Sequence, residues 1–186
     1  GISPTGKALA RAGCRVFFVA TIDEGVSLRA AIGALPRIFV LNGLMGGGTV
    51  KAFVEYRLTP VLNTPGDIVA WAEHGRASGG ASAILALDTG MRRLGLSPAE
   101  ARTIAVDAGA LEGIAVDYVM SHLACAEDAD HPMNRQQREL FDELRTELPP
   151  APASLANSGG VFLGPDFHYD LCRPGAWLPE PPRRRA

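Results

Sequence analysis

Residues 84–97, "ILALDTGMRRLGLS", run from an apolar, strand-forming segment into a polar turn bracketed by glycines. The stretch ends on Ser97, which begins "SPAE" (97–100). That sequence has the form of a helix capping box with proline at the first helical position. The stretch therefore predicts one βα unit: a buried strand, a polar loop and then a helix.

The same unit recurs along the chain. Seven short apolar runs lack the alternation of a half-exposed strand, which is typical of parallel strands covered on both faces. Capping boxes at Thr21 and Thr64 predict helices, Ser3-Pro4 predicts the start of the first helix, and apolar spacing predicts a helix near 133–148. The predicted strands are 15–20, 37–41, 59–63, 82–87, 117–123, 153–158 and 170–173.

Repeated βα units predict a parallel sheet. A doubly wound nucleotide-binding sheet would carry G-x-G-x-x-G after a strand, and "GLMGGGT" (43–49) has neither this pattern nor the Walker lysine, so a flexible loop is predicted there. Seven units with polar strand ends favour a (β/α)₈ TIM-type barrel. Its first strand is predicted to be missing, because the chain starts on a helix and falls short of the roughly 250 residues typical of this fold. The tail 178–186 is predicted to be disordered.

Composition indicates which kinds of binding partner and which cellular compartment fit the chain. The 186 residues carry a formal net charge of -2, which gives no sign of nucleic acid or of an anionic membrane surface. No apolar run approaches the length of a membrane span. Three cysteines without a C-x-x-C pair favour a reduced, cytoplasmic protein.

Polar residues follow several predicted strands, and in a parallel barrel such residues share one face. Ser158 lacks a nucleophile elbow, which argues against a hydrolase. Arginines near His122 would lower its pKa and indicate an anionic ligand, and the last two loops are where barrels often hold phosphate. Each residue alone also fits a structural role as a surface charge, a hydrogen-bonded histidine or a helix cap. The strand-end residues are Asp88, Thr89, Arg93, Ser121, His122, Asn157, Ser158, Arg173 and Gly175.

Six stretches together resemble one family, the bacterial alanine racemases, which are pyridoxal-phosphate (PLP) enzymes of fold type III. They occur in the family's order, and the resemblance runs from about residue 8 to residue 176. The stretches are "FFVATIDEGVSLR" (17–29), "PVLN" (60–63), "LDTGMRRLGL" (87–96), "MSHLACAEDADHPMNRQQ" (120–137), "SLANSGGVFLG" (154–164) and "DLCRPGA" (170–176).

The resemblance implies roles for individual residues. Arg93 matches an arginine that binds the cofactor's phenolic oxygen and the substrate carboxylate. Arg173 matches the arginine that donates to the pyridine nitrogen, and His122 the histidine that lies beneath the cofactor and supports that arginine. The phosphate would be held by Ser158 and the backbone N–H groups of Gly175 and Ala176, next to Asn157.

The resemblance also implies what the chain lacks. The family's PLP lysine lies in K-A-x-A-Y-G at the end of the first strand, and its second base is a tyrosine on a C-terminal β-domain; neither motif is present. No catalytic residue is therefore assigned. Residues 1–177 would be strands two to eight of the N-terminal barrel, cut before Gly1 and diverted near Trp177. A lysine that many members carry before D-T-G is absent around Ala86, so another group would have to orient Arg93.

The implied function of the complete enzyme is interconversion of L- and D-alanine for peptidoglycan precursors, by a homodimer with PLP. This chain alone would be inactive. Two alternatives stay open: a non-catalytic barrel that binds PLP or serves PLP homeostasis, and an inactive remnant without a ligand.

Overall fold

A computed structural model describes residues 1–175. Within them, six parallel strands form one sheet in the order β1 to β6, with every strand beside its neighbour in sequence. The strands are β1 Val16–Val19, β2 Arg37–Val40, β3 Thr59–Leu62, β4 Ala81–Ala86, β5 Ile114–Met120 and β6 Ala153–Ser154. The helices are α1 Ile2–Arg11, α2 Ile22–Ile32, α3 Val50–Glu55, α4 Pro65–Ser78, α5 Pro98–Val106 and α6 Pro132–Glu147.

The sheet is curled like part of a barrel wall, which agrees with the predicted fold class. Its outer face packs against the helices, and its inner face holds a separate apolar cluster that includes Phe39, Ile84 and Met120. Arg37 on β2 forms an ion pair with Asp117 on β5, three strands away, so these two strands of the arc approach each other across the inner face. Burial raises the pKa of the Asp117 carboxyl, and the Arg37 charge opposes that rise.

Local sequence signals set the helix starts. At Thr21, Thr64 and Ser97 the hydroxyl accepts a hydrogen bond from the backbone N–H three residues later, and the acidic side chain there accepts one from the cap residue. The three predicted capping boxes are thereby confirmed. The predicted start at Ser3 is wrong. Helix α1 begins at Ile2, because a proline in the first turn lacks only an N–H that has no partner within the helix.

Two predicted strands need correction. The strand predicted over 153–158 is only Ala153–Ser154, and β5 ends at Met120 rather than at residue 123. Because β6 has only two residues, the pairing beyond Met120 is limited to one backbone hydrogen bond, from Ser121 N to Ser154 O at 3.0 Å. The segment 170–173 is not a strand. It lies beside β6 through single backbone bonds from Asp170 N to Ala153 O and from Arg173 N to Ala156 O.

The predicted tail 178–186 lies outside the described residues. No helix within residues 1–175 is long and apolar enough to cross a membrane.

Candidate functional site

The carboxyl ends of β4, β5 and β6 deliver their polar residues to one face of the sheet, as predicted for a parallel barrel. His122 lies at the centre of the group. Asn157 Nδ2 is 3.3 Å from His122 Nε2, and the charges of Arg173 and Arg93 both act on the imidazole. Three of the predicted site residues, Asn157, Arg173 and Arg93, thus act on the ring of a fourth, His122.

Arg173 is held by oxygen atoms from two strand ends. Its guanidinium donates to the carbonyl oxygen of Ser121 at 2.6 Å, to that of Leu155 at 3.3 Å and to the hydroxyl of Ser154. Within residues 1–175 it forms no ion pair with a carboxylate. Burial lowers the pKa of Arg173 to about 10, so it remains a cation at neutral pH. A fixed, uncompensated positive charge therefore faces this site.

His122 is neutral under the same conditions. Its pKa is lowered to about 4, first by burial and then by the charges of Arg173 and Arg93, while Glu127 acts weakly in the opposite direction. The two arginines thus have the effect on His122 that the sequence predicted, although burial is the larger cause. Because the Asn157 amide donates to Nε2, that nitrogen is the acceptor and Nδ1 carries the proton.

Arg93 lies in a loop that folds back on the end of β4. The Asp88 carboxylate accepts hydrogen bonds from Gly90 N at 2.9 Å and Arg92 N at 3.0 Å, and Leu96 pairs with the backbone of β4. Gly95 has φ +108°, and a Cβ there would lie 2.8 Å from Asp88 N, so only glycine fits. The Arg93 side chain is exposed and makes no hydrogen bond or ion pair within the described chain.

The predicted phosphate loops lie beside this group. Asn157 Oδ1 accepts a hydrogen bond from Gly160 N at 2.9 Å, and Ser158 is buried. A Cβ at Gly159 would lie 2.8 Å from the carbonyl oxygen of Ala126, so the backbone here passes close to the segment after β5. Gly175 is exposed at the end of the described chain, and Ala176 lies outside the described residues.

Sequence reasoning missed Gln137, a fully buried residue of α6 that contacts two of the strand-end loops. A signal for it existed in the helical spacing. Asn134, Gln137, Phe141 and Leu144 are the buried residues of α6, so the apolar pattern around Phe141 places Gln137 on the buried face. A buried glutamine must satisfy its amide, which indicates a specific polar contact.

Neither lysine of the chain belongs to the site. Lys7 lies on α1 in a cleft with Arg15 and Pro36. These two residues precede β1 and β2, so the cleft lies at the amino-terminal ends of the strands, away from the site. Lys51 is exposed on α3. At this site the described residues therefore offer arginine cations and a neutral imidazole.

Together these features define a parallel α/β barrel domain with a cationic site at the carboxyl ends of its strands, suited to a ligand with anionic and acceptor groups. The family described as "Alanine racemase, N-terminal domain" matches residues 1–178, and the chain belongs to this family. The predicted family is thus confirmed.

Individual relatives agree. The chain is 49% identical to the catabolic alanine racemase of Mesorhizobium japonicum, over 96% of this chain and 47% of the relative. It is 46% identical to the alanine racemase of Rhodospirillum rubrum, over 92% of this chain and 46% of the relative. The chain thus spans about half the length of these curated relatives.

Solved structures agree in fold. Alanine racemase from Bartonella henselae, with covalently bound pyridoxal phosphate, superposes with a TM-score of 0.89 at 37% identity, covering 94% of this chain and 51% of that one. Biosynthetic alanine racemase from Pseudomonas aeruginosa has a TM-score of 0.81 at 32% identity, covering 94% and 48%.

Proposed function

We propose that residues 1–177 are the cofactor-binding barrel of a PLP-dependent alanine racemase. The observation that carries this proposal is Arg173, a half-buried arginine whose guanidinium has no carboxylate partner in the described chain, next to a neutral histidine. A cation partly removed from water is costly unless something compensates for it, and an acceptor ligand in this site would help to do so. The family and its relatives identify PLP as that ligand.

The donors present fit PLP group by group. Arg173 would donate to the pyridine nitrogen, with His122 beneath the ring. Arg93, which has no partner in the described chain, would take the phenolic oxygen and the substrate carboxylate. Ser158 and the backbone of Gly175 and Ala176, beside Asn157, would hold the phosphate. A guanidinium with a pKa of about 10 keeps its proton at neutral pH, so the ring nitrogen that it meets stays unprotonated.

When bound, PLP supplies an electron sink that weakens the bond to the α-hydrogen of the amino acid. The residues of this chain orient the cofactor and the substrate; they do not move the proton. Arg93 fixes the substrate through its carboxylate, and neutral His122 leaves the positive charge of Arg173 uncompensated. By keeping its own proton, Arg173 would leave the ring nitrogen unprotonated and the electron sink weak, which would favour return of the proton to the same carbon.

The groups that remove and return the proton are not among these residues. We propose that the lysine that binds PLP and the tyrosine base are supplied by protein outside these 186 residues, and that the complete enzyme is a cytoplasmic homodimer. Its product would serve peptidoglycan precursors. Because enantiomers have equal free energy in solution, the same site would interconvert L- and D-alanine in both directions.

Titration of the chain with PLP, followed by calorimetry, tests the proposal. We expect reversible binding that Arg173→Gln weakens by about tenfold or more, because a charge-assisted hydrogen bond is lost, and that Arg92→Gln leaves within about twofold. Borohydride treatment followed by mass spectrometry should leave no stoichiometric label. Equal affinity for pyridoxal without phosphate, or no effect of Arg173→Gln, would overturn the assignment.

A further inference from the structure

The side chain of Gln137 joins two loops of the site. Its Oε1 accepts a hydrogen bond from Ala124 N at 2.8 Å, and its Nε2 donates to the carbonyl oxygen of His122 at 2.9 Å and to Thr89 Oγ1 at 3.2 Å. Gln137 is 0% exposed, so no water substitutes for these bonds. One amide therefore ties α6 to the loop after β4 and to the segment after β5.

The hydroxyl groups in this network can be oriented in only one direction. Ser121 Oγ donates its single hydrogen to Leu87 O at 2.7 Å, so at the 2.8 Å contact with Thr89 Oγ1 the threonine must donate. Thr89 can then only accept from Gln137. The donation runs from Gln137 through Thr89 and Ser121 to the carbonyl oxygen of Leu87, the residue after β4, and Gln137 supplies the N–H donor at its start.

The two loops joined in this way carry Arg93 and His122, two of the three charged or titratable groups of the proposed site; the third is Arg173. Thr89 follows Asp88, whose carboxylate forms the turn that leads to Arg93. The other loop carries His122. Arg93 makes no hydrogen bond or ion pair of its own in residues 1–175, so the backbone of its loop is what places it.

We propose that Gln137 is a positioning residue that holds Arg93 in place relative to His122 by joining the loop after β4 to the end of β5. This inference rests on the proposed function in treating Arg93 and His122 as parts of one site. Ala86 offers no polar side chain that could orient Arg93. In this proposal Gln137, which lies on α6 and not at a strand end, takes that role.

A double-mutant cycle read on His122 separates positioning from packing. The pKa of His122 is measured by NMR titration in the unaltered chain, Arg93→Gln, Gln137→Met and the double variant. Arg93→Gln should raise the pKa of His122, because that guanidinium lowers it. With Gln137→Met the same substitution should raise it clearly less, because the loop no longer holds Arg93 in place. An equal rise in both backgrounds would overturn the proposal.

A second measurement avoids dependence on the folding of one variant. Gln137→Glu keeps the acceptor for Ala124 N and loses both donors, while Gln136→Glu makes the same change on the exposed side of α6. Hydrogen exchange of the Gly90 and Arg92 amides, which bind Asp88, should be at least about tenfold faster in Gln137→Glu and unchanged in Gln136→Glu. Equal exchange in both variants would contradict positioning.

Neither readout uses PLP. A chain that fails to bind PLP but shows the cycle would overturn the proposed function alone, and a chain that binds PLP without the cycle would overturn only the role of Gln137.

Discussion

Burial and the charges of the nearby arginines both disfavour protonation of the His122 imidazole and lower its pKa to about 4. In the unfolded chain a histidine titrates near 6.5. The unfolded state therefore binds more protons between these values, so stability is full above about pH 6.5 and is lost as the pH falls toward 4. We expect this residue to remove about 2 kcal/mol of unfolding free energy between pH 7 and pH 4.5.

Denaturant unfolding at the two pH values measures this loss, and His122→Gln supplies the comparison because glutamine does not titrate. The variant should lose about 2 kcal/mol less than the unaltered chain on acidification. A pH dependence that is identical in the two proteins would show that His122 accepts its proton equally well in both states.

Residue types at strand ends predicted much of the site, since the carboxyl ends of parallel strands share one face. That rule placed His122 and Asn157 together; Arg173 joins them although the predicted strand that would have delivered it is not formed. The rule could not find Gln137, which comes from a helix 15 residues further along, nor the left-handed backbone of Arg92 at φ +56°. The helical spacing of α6 placed Gln137 on the buried face, but its partners and the conformation of Arg92 depend on how the loop after β4 packs, which no local pattern contains.

At the scale of elements, helix starts followed from local chemistry because a capping box is completed within four residues. The ends of strands could not be predicted in this way, because the length of a strand depends on the strand that pairs with it. The segment 170–173 was predicted as a strand, yet it makes one backbone bond to the two-residue β6 and one to Ala156 beyond it. Sequence therefore predicted where helices begin better than where strands stop.

Helix α4 offers a matched pair of glycines. A Cβ at Gly75 would lie 2.0 Å from the carbonyl oxygen of Gly113, whereas one at Gly66 would have only the Thr64 hydroxyl near it, at 3.7 Å. We expect Gly75→Ala to destabilise the chain by about 3 kcal/mol, because α4 must move away from β5. Gly66→Ala should stabilise it by about 0.5 kcal/mol, because alanine loses less backbone entropy on folding. Urea unfolding of both variants checks this, and equal effects would show that the close contact is not rigid.

For the whole molecule, the decisive feature is that the described sheet is open, with β1 and β6 at its edges. Arg15 O and Val19 O bond to β2, so the backbone of the alternate residues Val16 and Phe18 faces away from the sheet. That edge borders an apolar groove of about 400 Å³. An unpaired strand beside apolar side chains is a template for pairing with another chain.

We therefore expect this 186-residue chain, purified alone, to be marginally stable and to self-associate through β1. Val16→Pro removes an N–H that faces outward, so it should lower the fraction of oligomer in light scattering while leaving the circular dichroism of the monomer unchanged. Phe17→Pro, one residue further, removes an N–H that faces β2 and should instead unfold the edge. A monomeric chain with a sharp, cooperative thermal transition would contradict this account, because it would mean that the open edge does not lower stability. Equal light scattering from Val16→Pro and the unaltered chain would place the association at another surface.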